Sequence, residues 1–184
     1  MINRFVKILK FIKPYIISVT VTIAFVLLIN YFVLTHVKVS GISMNPTFND
    51  GDNLIMYKLT INPKLNDIVV CKDSDINSGY IIKRCIGISG DTVIIDYNTD
   101  NVFVNNELIE EKYIAEKDMD TLDDSNGVEI DRNVFKYEVP ENCIFVLGDN
   151  RNNSMDSRFD KIGYIPIESV VGTIFFNVSD FEWI

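Results

Sequence analysis

The stretch "YIIKRCIGISGD", residues 80–91, decides how the body of this chain is read. It is a short run rich in isoleucine that gives way to turn residues, so it reads as a β-strand. Alternation along a strand then puts Ile81, Lys83 and Cys85 on one face, with Tyr80, Ile82, Arg84 and Ile86 on the other. Lys83 shares its face with two apolar neighbours, whereas Lys58, Lys64, Lys72 and Lys161 lie near turns or polar flanks. A free lysine has a pKa of about 10.4, so only roughly one in 2,500 is neutral at pH 7. Burial penalises the charged form and produces the neutral amine that a general base requires. The ordinary alternative is a strand lysine whose stem packs while its ammonium reaches water.

The same kind of run recurs. "NLIMYKL", "DIVVCK", "DTVIIDY", "NVFVNNELI", "FKYEVP", "CIFVLGD" and "SVVGTIFF" are rich in Ile, Val, Phe and Tyr and are separated by turn residues. No long amphipathic helical pattern follows residue 38, which predicts a mostly β body. "NTDNVFVNNE" reads as a hairpin region, and "EKDMDTLDDSNGVEIDRN", residues 116–133, as a polar, acidic loop or insertion. The aromatic C-terminus "IFFNVSDFEWI" suits core packing or contact with a membrane interface.

Residues 14–37 contain no Asp, Glu, Lys or Arg. As a helix this window spans roughly 36 Å, enough for a hydrocarbon core of about 30 Å. It is too long for the apolar region of a cleaved signal peptide, and "THVKVSG" offers no small-x-small cleavage site. A buried soluble helix of this composition is rare. An uncleaved anchor is expected, with residues 1–13 cytoplasmic, 14–36 crossing the membrane and 37–184 outside. The charges agree: residues 1–49 carry five cations and no acid, the rest 12 cations and 26 acids, for a net −9. An acidic body argues against a nucleic-acid partner. Cys71, Cys85 and Cys143 are odd in number and lack metal-like spacing, so neither a disulfide framework nor a metal site is indicated.

Ser43 stands in "VSGISMNPTFNDGD", just beyond the anchor. The lone imidazole, His36, lies at the anchor's end, which argues against a Ser-His-Asp triad. There is no Gly-x-Ser-x-Gly elbow and no serine followed three positions later by lysine. A serine paired with a lysine from elsewhere in the chain remains. The third feature is "GDNRNNSMDSR", residues 148–158, a polar run directly after the apolar "CIFVL". It is a turn with Asx-type hydrogen bonds, or a buried network that orients a nearby amine.

Taken in order after one anchor, "SGISMNPT", "YIIKRCIGISGD" and "GDNRNNSMDSR" followed by "GYIP" resemble type I signal peptidases, the membrane-bound Ser-Lys proteases of the single-anchor, Gram-positive type. The resemblance covers the anchor to about residue 175. It implies Ser43 as nucleophile, Lys83 as general base and Met44 as a residue shaping the substrate pocket. It further implies that the Ser154 hydroxyl bonds the lysine, that Asp156 and Arg158 form a supporting pair, and that Asp149 is structural. The implied fold is a signal-peptidase/LexA-like catalytic domain of coiled antiparallel sheets with a small β insertion at about 92–142. The implied substrate is the signal peptide of a secreted preprotein, bound extended along residues 37–41 and 80–83 near Gly41, Ile81 and Ile82. Pockets lined by residues such as Met44 and Ile82 would accept Ala-x-Ala. No cofactor is expected; membrane lipid and the protein export machinery are the expected neighbours.

Three departures from the pattern stand out. Gly41 replaces a serine that binds the oxyanion in some relatives, leaving mainly backbone N–H donors such as that of Ser43; one such donor can be worth ~3–4 kcal/mol. Asn152 stands where aspartate is common. Cys85 and Ser89 replace the more usual valine and proline. Eight residues separate Thr35 from Ser43, a reach of at most ~28 Å, so the anchor keeps the serine near the membrane that presents the substrate. The rival readings are a self-cleaving repressor, which the anchor disfavours, and a non-catalytic membrane accessory, which retention of Ser43 and Lys83 disfavours. A role dedicated to one substrate set, such as pilus subunits, stays open.

Overall fold

A computed structural model describes residues 2–59, 62–72, 79–114, 119–120 and 126–184. The chain divides into two units, Met1–Thr35 and His36–Ile184.

The first unit is dominated by helix α1 (Ile2–Phe32). Its stretch Lys10–Ile29 is long and apolar enough to cross a membrane, and none of it is buried within the protein. Two polar side chains in it satisfy themselves: the hydroxyls of Thr20 and Thr22 donate to the carbonyls of Ile16 and Ser18, both at 2.9 Å. The uncharged window of the sequence outruns the helix. Its last residues belong instead to strand β1 (Leu34–Lys38).

The second unit is built from antiparallel strands. β2 (Asn53–Tyr57), β3 (Ile68–Lys72) and β4 (Tyr80–Gly87) come first. Then come β5 (Thr92–Asp96), β6 (Asn101–Val104), β7 (Glu107–Leu108), β8 (Val128–Asp131) and β9 (Val134–Glu138). β10 (Cys143–Leu147), β11 (Ile165–Pro166), β12 (Val170–Asn177) and β13 (Glu182–Trp183) complete it. One sheet runs β1-β2-β12-β3-β4-β10-β11, with β13 on β12; the other runs β7-β6-β5-β9-β8. The body is therefore mostly β, as its composition predicted, and the second sheet is drawn wholly from residues 92–138.

The runs that lack an apolar/polar alternation are strands covered on both faces. In β3, Ile68 and Val70 enter one apolar cluster with Met44, Phe48 and Leu54, while Val69 and Cys71 enter another with Ile81 and Cys85. In β10, Ile144 and Val146 join that second cluster. Phe145 and Leu147 face the other way, into a third cluster with Val93, Ile95, Val104 and Tyr137 of the second sheet. β10 is thus a wall between two cores.

The region expected as an acidic loop needs correction at its end. Val128–Asp131 is a strand, paired with β9 across Arg132 and Asn133, the latter at φ +59°. All four residues are exposed because β8 is an edge strand, so the burial signal that reveals other strands is missing. The parts of that region at 116–118 and 121–125 lie outside the described residues. The expected hairpin is present between β6 and β7, where Asn105 and Asn106 both take positive φ, +52° and +68°.

Candidate active site

Ser43 lies in a tight turn that Met44 and Phe48 fasten to the core; both are almost fully buried. Backbone bonds from Asn45 N–H to Ile42 O at 3.1 Å and from Phe48 N–H to Met44 O at 2.9 Å close it. With its neighbour packed inward, Ser43 is left half-buried at the rim. Lys83 reaches this serine from β4. Its Nζ donates to Ser43 Oγ at 2.8 Å and to Ile82 O at 3.1 Å. Only 4 % of Lys83 is exposed.

That burial holds the amine below the ordinary lysine range, against the opposing pull of Asp156 first and then of Cys71 and Asp149. A lysine in such a place exchanges its proton at lower pH than a free one. At 2.8 Å the same contact can run in reverse, with the hydroxyl donating to a neutral amine. The pair can therefore activate an alcohol.

The loop Gly148–Arg158 packs against the turn. Asn150 N–H donates to Ser43 O at 3.0 Å, and its side-chain amide to Ile42 O at 3.2 Å. Gly148 is the tightest point: a Cβ there would lie 2.6 Å from Ser43 O and 2.1 Å from Ser154 Oγ. Asp156 and Arg158 are fully buried and paired through Oδ1 to Nε at 2.8 Å and Oδ2 to Nη2 at 3.0 Å. Gly148 N–H also donates to Asp156 at 3.0 Å. Burial would raise the Asp156 carboxyl, but the charge and hydrogen bonds of Arg158 outweigh it and hold it below the usual range. Asp149 accepts from Arg84 Nε at 2.9 Å and Nη2 at 2.7 Å, and from Thr47 of the serine turn at 2.5 Å.

The structure thus brings Ser43, Lys83, Asp149, Ser154, Asp156 and Arg158 to one place. The hydroxyl of Ser154 is buried beside Gly148; it makes no hydrogen bond to Lys83, and it helps to hold the Asp156 carboxyl low. Among the residues expected to meet substrate, Ile82 packs on the cluster that holds Met44, while Ile81 turns into the other one with Cys85. Gly41 is exposed at φ +94°, so a serine there would be strained. Cys85 is a core thiol, pushed up to about 12 by burial. Asn152 accepts from Asp120 N–H at 3.0 Å, and Ser89 donates to Cys143 O at 3.2 Å.

Sequence reasoning missed Arg84 and Thr47, which hold Asp149 in place. The signal for Arg84 was available: a cation inside a strand apolar on both faces needs a buried counter-ion. The first half of β4 also offers an open edge. Among the described residues, Tyr80–Lys83 pair with β3 on one side, whereas β10 begins to pair on the other only at Arg84.

Residues 12–179 match the family described as signal peptidase, peptidase S26. A signal peptidase I of Bacillus licheniformis is 34 % identical over 184 residues, covering 97 % of this chain and 94 % of that protein. A signal peptidase I P of Bacillus subtilis subsp. natto is 35 % identical over 162 residues, covering 84 % and 85 %. The crystal structure of a signal peptidase I from Enterococcus faecalis V583 superposes with a TM-score of 0.46 at 30 % identity, covering 60 % of this chain and 95 % of that one.

Proposed function

The chain belongs to the signal peptidase family, peptidase S26, and from that premise we propose that it removes signal peptides with Ser43 as nucleophile and Lys83 as general base. The observation that carries the assignment is the 2.8 Å contact between Lys83 Nζ and Ser43 Oγ, made by a lysine that burial pushes toward the neutral form.

In this reading the neutral Lys83 amine takes the Ser43 proton as the oxygen attacks the scissile carbonyl carbon. The tetrahedral oxyanion is met by the backbone N–H of Ser43, because Gly41 supplies no hydroxyl. The resulting ammonium protonates the departing amine of the mature protein, leaving the signal peptide as an ester on Ser43. Lys83 then activates water to hydrolyse the ester. Asp156 and Arg158 hold the loop that shapes the site, and Ser154 lies beside it.

The preprotein would bind extended, adding a strand along the open edge at Tyr80–Lys83. Ile82, half-buried and backed by the buried Met44, would floor a shallow pocket that takes only small side chains, in keeping with an Ala-x-Ala preference. With α1 as a membrane anchor, the cations at its start and the acids after it favour a cytoplasmic N-terminus and an external body. Lipid and the export machinery are then its surroundings.

The test is a set of substitutions assayed on a preprotein in detergent or vesicles. Ser43→Ala removes the attacking oxygen, and Lys83→Met keeps the apolar stem without the amine. Each should reduce cleavage nearly to background, and the double variant should be little worse than either. Lys83→Arg should fail as well, because a guanidinium stays charged near pH 7. Substantial cleavage by Lys83→Met would remove the proposed base.

A further inference from the structure

Glu111 and Tyr113 lie outside every sequence block singled out above, yet both side chains end among the groups that hold the serine turn. The Glu111 carboxylate grips Arg151, taking Nη1 at 3.0 Å on one oxygen and Nη2 more closely on the other. Both side chains are buried, 5 % and 2 % exposed. The Tyr113 hydroxyl donates to the same carboxylate at 2.9 Å. Its ring lies against the Arg84 guanidinium, 3.8 Å from the carbon to the ring centre.

Each arginine has a second duty on the catalytic side. Arg151 Nε donates to Gly148 O at 3.1 Å, and Arg84 chelates Asp149. Gly148 leaves room for Ser43 O where any Cβ would strike it, and Asp149 accepts from Thr47 in the turn that carries Ser43. A buried Arg–Glu pair adds little net stability, because desolvation offsets its attraction, so its better-attested use is to specify one arrangement. An aromatic ring against a guanidinium likewise fixes the plane in which the fork meets a carboxylate.

We propose that Glu111 and Tyr113 are positioning residues that hold Arg151 and Arg84, and through them Gly148 and Asp149, against the Ser43 turn. This rests on the reading of Ser43 and Lys83 as the reacting pair. The charged and titratable groups that act on Lys83 are Asp156 and Asp149 from the loop and Cys71 from β3. Asp156 keeps Arg158 and a backbone donor, whereas Asp149 has the neutral Thr47 hydroxyl and takes its counter-charge from Arg84. Arg84 Nη1 also donates to Asn66 O at 3.1 Å, so without the Tyr113 ring the guanidinium stays nearby but loses the surface that sets its plane against Asp149. The less neutralised Asp149 then favours the ammonium form of Lys83, so activity should need a higher pH.

The experiment follows preprotein cleavage by the full chain in detergent across about pH 6 to 10, where a lysine base would titrate. Tyr113→Leu should move the rising limb of kcat upward by roughly 0.5–1 unit. It should cost ~3–10-fold at pH 7, recover at high pH and leave KM within about twofold. Tyr113→Phe keeps the ring and should keep the parental limb. Should Tyr113→Leu fail to fold, the near-isosteric Glu111→Gln carries the test: a lower kcat at unchanged KM supports the proposal, and parental kinetics overturn it. A parental limb in Tyr113→Leu, with Ser43→Ala and Lys83→Met inactive, overturns it too. Activity in Ser43→Ala or Lys83→Met would instead remove the reading on which it rests.

Discussion

Lys83 is a residue whose usefulness is set against stability. Its folded-state pKa is depressed by burial, so between that value and the ordinary one of about 10.4 the unfolded chain binds more protons than the folded one. Lys83 therefore destabilises the fold at neutral pH, and the penalty fades as pH rises through this window. Lys83→Met should raise the midpoint of thermal unfolding at pH 7 while abolishing cleavage, and the gain should shrink toward pH 10. A variant that loses stability at every pH would contradict this. Cleavage by the parent should rise with pH about a midpoint below that of free lysine. Gly148 makes a different point. Any side chain there meets the Ser43 carbonyl, a backbone atom that cannot step aside, so Gly148→Ala should cost at least ~10-fold in kcat even in folded protein, a loss of about 1.4 kcal/mol in transition-state stabilisation. Parental kinetics would show that the turn gives way freely.

At the scale of elements, the loop Gly148–Arg158 depends on one buried pair. Asp156→Asn leaves Arg158 without its counter-ion and should destabilise the protein by roughly 3–5 kcal/mol, read as a shift in denaturant midpoint. Because the Asp156 carboxyl is held low, its contribution is present above the ordinary aspartate value near 4 and is lost as pH falls through the folded one. The difference between parent and variant should therefore narrow only in acid. Most of this architecture was legible in the sequence, because alternation in "YIIKRC" fixes which face Lys83 shares, and unbroken runs such as "CIFVL" announce strands buried on both sides. What stayed hidden had no such imprint. β8 is exposed on both faces, and Tyr113 and Glu111, which meet Arg84 and Arg151, lie 29 and 40 positions from them in sequence and are brought near only by the folded chain. Ser154 was expected to bond the lysine; its hydroxyl acts on Asp156 instead, a matter of ångströms that residue types do not encode.

At the scale of the whole molecule, the apolar helix and the acidic β unit make a topological prediction. Protease added outside intact cells or spheroplasts should reach the chain beyond residue 38, and a reporter fused at residue 184 should behave as exported. A reporter active in the cytoplasm would contradict the proposed orientation. Within the β unit, the two sheets should melt together, and β10 is the reason. Its odd-numbered side chains Phe145 and Leu147 complete one core, and its even-numbered Ile144 and Val146 complete another, so neither core survives the loss of this strand. The second sheet, although it arises as one continuous stretch of chain, is then no detachable module. Calorimetry of the β unit should show a single two-state transition, with calorimetric and van't Hoff enthalpies equal. Damage anywhere in the second sheet would reach the active site as a change in the fraction of molecules folded, never as a half-folded enzyme that still cuts.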